Sequence, residues 1–131
     1  MVPFVAVLTC IDGRVLPPTL AHMGDMCDAE HVDVITAPGM DGLLAGGGAA
    51  ADGALRALEV SMVAHGTRDV VVVGHDDCAG HPADPAERGG IVARAVEAVL
   101  ARHPTLSVTG LHLRQEAAGW QADEVLSALR S

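Results

Sequence analysis

Val70-Val71-Val72-Val73 is the segment that most restricts what this chain can become. Four β-branched side chains in a row are poor in a helix and good in a strand. The run has no polar alternation, so it reads as a short strand buried on both sides. Phe4–Thr9 has the same character. Val32–Thr36 reads as a further strand, and Leu106–Leu113 as the last. Between them lie amphipathic stretches. Pro17-Pro18 opens a short helix that Gly24 ends, and Asp52 caps a helix over residues 53–65 that stops at Gly66. Leu55, Leu58, Val60, Met62 and Val63 form its apolar side. A third helix runs from Ile91 to Arg102, with Ile91, Val92, Ala95, Val96, Val99 and Leu100 facing inward, and His103-Pro104 ends it. Residues 38–51 are rich in glycine and read as a loop. The tail after Gly119 reads as a short helix packing Trp120, Val125, Leu126 and Leu129.

Strands alternating with helices imply a mostly parallel central sheet flanked by helices, an α/β fold. At 131 residues the whole chain, 1–131, is expected to form one α/β domain. Ligands in such sheets bind beyond the carboxyl ends of the strands, and two motifs stand at those ends. Cys10-Ile11-Asp12-Gly13-Arg14 follows the first strand, and His75-Asp76-Asp77-Cys78 follows the valines. Zinc takes sulfur and nitrogen readily, and a set of three protein ligands leaves a fourth position for water or substrate. Cys10, His75 and Cys78 are therefore the candidate metal ligands. The glycine-rich loop lacks the lysine of a phosphate loop and the glycine spacing of a dinucleotide site.

Charge removes other classes. The formal net charge is −9 and all eight basic residues are Arg, scattered along the chain. Nucleic acid and anionic membranes are therefore not expected partners. No apolar run approaches the ~20 residues of a membrane span. No secretory leader is recognisable, and an odd number of cysteines does not make a disulfide framework, so a cytoplasmic protein is expected.

The two motifs resemble those of the β-class carbonic anhydrases. That family carries Cys-x-Asp-x-Arg after its first strand, matched here by Cys10, Asp12 and Arg14, and later His-x-x-Cys between glycines, matched by Gly74, His75, Cys78 and Gly80. Gly66-Thr67-Arg68-Asp69 is similar to the family's helix-to-strand turn, and Val108-Thr109-Gly110-Leu111 to its late Val-His-Gly strand. Thr36-Ala37 stands where the family has Arg-Asn, and its N-terminal helical arm has no counterpart.

The resemblance implies a zinc enzyme that hydrates carbon dioxide to bicarbonate. Cys10, His75 and Cys78 would hold Zn²⁺, which lowers the pKa of a bound water to near ~7 and yields hydroxide at neutral pH. Asp12 and Arg14 would form the family's catalytic dyad. Arg14 holds Asp12 off the metal in an active arrangement; in a closed one Asp12 takes the fourth position. The family also implies a homodimer or larger homo-oligomer. Two alternatives stay open at this level. One is a related hydrolase acting on carbonyl sulfide, carbon disulfide or a specialised metabolite. The other is a non-catalytic protein whose Cys27 completes a closed Cys₃His site. Cys27 is otherwise a small buried hydrophobe. His81 is an exposed loop residue or a proton relay at the pocket mouth. Asp76 and Asp77 shape their loop or hydrogen-bond to a ligand.

Overall fold

The computed structural model describes residues 4–128. Its strands are β1 (Phe4–Thr9), β2 (His31–Thr36), β3 (Asp69–His75), β4 (Ser107–Glu116) and β5 (Gly119–Ala128). Its helices are α1 (Leu16–Met26), α2 (Met40–Gly46), α3 (Gly48–His65) and α4 (Pro85–Arg102). The five strands form one sheet in the order β2-β1-β3-β4-β5. The pairs β1·β2, β1·β3 and β3·β4 are parallel, and β5 lies antiparallel to β4. This is the expected α/β architecture, a mostly parallel sheet flanked by helices.

The valine run is consistent because the sheet has a core on each face. Successive side chains of a strand point to opposite sides. Val70 and Val72 therefore join Ala6, Leu8, Leu55, Leu58, Ala95, Val96 and Val99 beneath α2, α3 and α4. Val71 and Val73 join Val5, Val7, Met23, Leu111 and Leu113 beneath α1.

Several expectations are corrected. The glycine-rich stretch 38–51 is not a loop but α2 and the start of α3, joined at Gly47, whose φ of 69° no other residue adopts easily. Gly39 and Gly42 mark close packing against Gly80 and His81, whereas Gly46, Gly47 and Gly48 have open space around them. A Cβ on Gly42 would lie 2.3 Å from the ring of His81. Asp52 accordingly lies inside α3, where it pairs with Arg102 at 3.0 Å, and caps nothing. Val60 and Val63 are not core residues: they are 66% and 88% exposed, because Leu55, Leu58 and Ser61 take the inward stripe. Gly24 does not end α1, which continues to Met26. Leu106–Leu113 is not the last strand. The tail adds β5, and only Leu129 among the residues expected in a terminal helix falls outside the described range. The antiparallel edge of β4 offers a full ladder of backbone partners there, from Glu116↔Gly119 to Val108↔Ala128, and this outweighs local helix preference.

Candidate metal centre

Because β1 and β3 are paired neighbours, with Leu8 opposite Val72, the segments following them emerge side by side. Cys10, His75 and Cys78 converge there, all three buried, with ligand atoms within 4.8 Å of one another. The Sγ atoms of Cys10 and Cys78 are 3.9 Å apart. That is far beyond a disulfide bond of ~2.05 Å. It matches the about 3.8 Å between two thiolates on a tetrahedral zinc with bonds of ~2.3 Å.

The imidazole of His75 points to the same conclusion. Its Nδ1 lies 2.7 Å from the carbonyl oxygen of Asp76, which only accepts, so Nδ1 carries the proton and donates. Nε2 is then an unprotonated acceptor, buried and without a hydrogen-bond partner. A buried nitrogen lone pair left unsatisfied costs free energy unless something binds it. A metal ion between it and the two sulfurs is the matching group. The backbone N–H of Gly39 donates to Cys10 Sγ at 3.4 Å. Burial pushes the Cys78 thiol above its ordinary value, with the neighbouring Cys10 adding to the effect, so a cation is needed to hold it deprotonated.

Arg14 joins the two motifs. Its Nε donates to both carboxylate oxygens of Asp12, at 3.0 and 3.1 Å, and its Nη2 donates to Asp12 Oδ2 at 2.6 Å. The same guanidinium reaches the second motif through the Asp77 carbonyl and carboxylate, each at 3.2 Å. Asp77 has φ +56°, a left-handed turn that Asp tolerates better than most residues. The Arg14 side-chain hydrogen bonds hold the Asp12 carboxyl down at about 2, well below its ordinary 3.8. The Asp12 carboxylate is not a member of the three-residue metal cluster.

Other candidates fall in different places. Cys27 is not the fourth thiolate. It lines a small cavity with Val5, Asp69, Val70 and Ser107 at the amino ends of the strands, across the sheet from the cluster, and its thiol lies 3.1 Å from the Met23 carbonyl. A closed Cys₃His site is thereby excluded. His81 is half-buried against α2 and does not join the cluster. Asp76 is not a member of the cluster: His112 Nε2 donates to its Oδ1 at 2.7 Å and the Gln115 N–H to its Oδ2 at 3.0 Å. Burial raises the Asp76 carboxyl, but these two bonds outweigh that and hold it low. They leave its backbone carbonyl to orient His75.

Three contributors were missed from sequence. Trp120 on β5 lies over Arg14, 5.5 Å from ring centroid to Cζ, and presents its ring edge-on to His75 at 6.1 Å. Asp41 and Arg88 form a fully buried ion pair at 2.9 Å. No local motif marks any of them; only an Arg on the inward stripe of α4 was a signal.

Comparison with known proteins bears on the family and the fold. The family model described as "Putative carbonic anhydrase" matches residues 2–125. Among solved structures, the β-carbonic anhydrase isoform I of Trichomonas vaginalis is similar with a TM-score of 0.64 at 16% identity, over 94% of this chain and 82% of that one. The carbonic anhydrase of Streptococcus mutans gives 0.59 at 19% identity, over 93% and 81%. One of the tetrameric β-carbonic anhydrases of Sordaria macrospora gives 0.52 at 12% identity, over 98% and 83%. No curated protein matches in sequence.

Proposed function

This chain belongs to the family described as "Putative carbonic anhydrase", matched over residues 2–125, and on that premise we propose that it is a zinc enzyme hydrating carbon dioxide to bicarbonate. The observation that carries the reading is the buried, partnerless Nε2 of His75 facing two thiols 3.9 Å apart. Cys10, His75 and Cys78 are the residues to hold the metal. Bound there, zinc would lower the pKa of a water to near ~7 and supply the nucleophile for a small electrophile.

The chain's own residues do the rest. The Gly39 N–H steadies the Cys10 sulfur, and the Asp76 carbonyl fixes the His75 tautomer, which orients the ring. Asp12 remains ionised at any working pH because Arg14 depresses it. It is thus a permanent acceptor, suited to take a hydrogen bond from the attacking water and aim its lone pair at substrate. Arg14 restrains Asp12 from swinging to the metal, and Asp77 in turn anchors Arg14.

Substrate, assembly and compartment follow the same reading. The partner is a small molecule, carbon dioxide or bicarbonate, and neither nucleic acid nor a membrane; no described helix is long and apolar enough to cross one. A homodimer or larger homo-oligomer is supported by the edge position of β2 and by the tetrameric enzymes of Sordaria macrospora. A cytoplasmic setting suits two buried thiols that must stay reduced.

Stopped-flow carbon dioxide hydration on zinc-loaded protein tests the proposal, with Cys78→Ala as control. Hydration above background between about pH 7 and 9, lost in the control, is expected. Fully zinc-loaded protein that is inert toward carbon dioxide but cleaves carbonyl sulfide or carbon disulfide would transfer the assignment to a related hydrolase.

A further inference from the structure

Arg88 is completely buried, with 0% of its side chain exposed, and its partner Asp41 is at 2%. Replacing a buried ion pair by apolar side chains of similar volume commonly leaves a fold as stable or more so. The charges therefore call for a reason beyond bulk packing, and it lies in what the pair touches. Arg88 stands in the first turn of α4, with Nη1 donating to Asp41 Oδ2 at 2.9 Å and Nη2 to the His81 carbonyl at 2.7 Å. Asp41 stands in the first turn of α2.

These contacts reach all three candidate ligands. The Asp41 carboxylate lies directly on Gly74, where a Cβ would come within 2.4 Å of Oδ2, and Gly74 immediately precedes His75. The turn that carries Asp41 begins at Gly39, whose N–H donates to Cys10 Sγ. His81 closes the segment after Cys78, and Gly80 within it meets the Gly39 backbone so closely that a Cβ would lie 2.5 Å from its nitrogen. One ion pair therefore clamps the supports of Cys10, His75 and Cys78 together. Its planar fork is needed because a single ammonium does not bridge a carboxylate and a carbonyl in the same geometry.

We infer that Asp41 and Arg88 are positioning residues of the metal centre, which set its zinc affinity without touching substrate. The inference rests on the zinc reading of the cluster. It is tested on the full chain by zinc competition against a chromophoric chelator, with circular dichroism and thermal unfolding of the metal-free proteins alongside. Asp41→Asn, Arg88→Met and Arg88→Lys are expected to bind zinc ~10–100-fold more weakly than wild type, the scale of lost outer-sphere support. The double variant Asp41→Leu with Arg88→Met removes both charges together. It is expected to unfold at or above the wild-type temperature yet to remain weak for zinc. A double variant as stable as wild type that binds zinc within about twofold of it would show the pair to be structural filling and overturn the inference. Arg88→Lys keeps a charge for Asp41 and decides the matter if the double variant does not fold. Wild-type protein with no zinc affinity would sink the zinc reading itself, and this inference with it. Wild-type protein that binds tightly alongside unaffected variants sinks the inference alone.

Discussion

Gly74→Ala adds one methyl group at the point where the metal loop, α2 and α4 meet. The new Cβ would stand 2.4 Å from Asp41 Oδ2, 3.0 Å from Asp41 Cγ and 2.5 Å from Val92 Cγ2. Ordinary contact needs roughly 3.5–4.0 Å, so something must shift by about an ångström. Neither neighbour moves freely. Asp41 is held by Arg88, and Val92 is fully buried in α4. Gly74 is not among the residues with positive φ, so the backbone itself does not resist alanine. Overpacking of this kind costs ~1–3 kcal/mol, and alanine returns ~0.4–1 kcal/mol by restricting the unfolded chain. A net loss of roughly 1.3 kcal/mol, midway in the resulting range of about 0–2.6 kcal/mol, is expected, or roughly 5 °C in melting temperature for a chain of this length. Zinc affinity should fall as well, because the strain lands beside His75. Gly13→Ala is the control: nothing lies within 4 Å of its added Cβ, so it should melt at or slightly above the wild-type temperature. Differential scanning calorimetry of the three metal-free proteins reads the result. Gly74→Ala melting together with Gly13→Ala would mean that Asp41 and Val92 yield at no cost, which refutes the rigid clamp.

Cys10→Ser and His75→Ala should each lose bound zinc by metal analysis, and chelation of wild-type protein should lower its melting temperature, since zinc at 100 times its Kd stabilises by ~2.7 kcal/mol. Asp12→Ala should keep zinc and lose ~10–100-fold in hydration rate, and Arg14→Ala should keep zinc and lose more, because the released carboxylate takes the fourth position. In metal-free Arg14→Ala, carbon-detected titration of Asp12 should give a pKa returning from about 2 toward 3.8. Asp12 is depressed in the folded state, so its stabilising effect is present above 3.8 and lost as pH falls through about 2. The variant should lack that acid-side loss. Trp120, the only tryptophan, should change emission as zinc is titrated in; Trp120→Phe should retain most hydration activity, while Trp120→Ala unseats Arg14 and loses ~2–5-fold, the worth of a half-exposed cation–π contact. Sedimentation at micromolar concentration should show a dimer or larger species.

The local pattern of this chain carried its secondary structure wherever one periodicity dominated. Val70–Val73 and Phe4–Thr9 read as doubly buried strands because a continuous β-branched or apolar run has few other stable uses. The two motifs could be set at strand ends for the same reason, and their thiol, imidazole and carboxylate chemistry is a property of residue type alone. Glycine misled where its role was contact. Gly42 sits in a helix because His81 lies against it, and that neighbour is 39 positions away in the chain. The tail misled because β5 draws its backbone hydrogen bonds from the edge of β4, which no local propensity records.

What only the tertiary structure decided is convergence. Strand order sets β1 beside β3, and this alone brings Cys10 to within 3.9 Å of Cys78 while sending Cys27 to the opposite end of the sheet. Packing of α2 on α4 makes Asp41 and Arg88 a buried pair, although each alone in sequence is an ordinary charged residue of a helix. The sequence by itself determined which residues have zinc chemistry and which runs are strands, since those depend on side-chain type and on neighbours a few positions away. Which of them meet, what holds them in place and which nitrogen is left without a hydrogen-bond partner depend on contacts between distant segments, and these exist only once the sheet has formed.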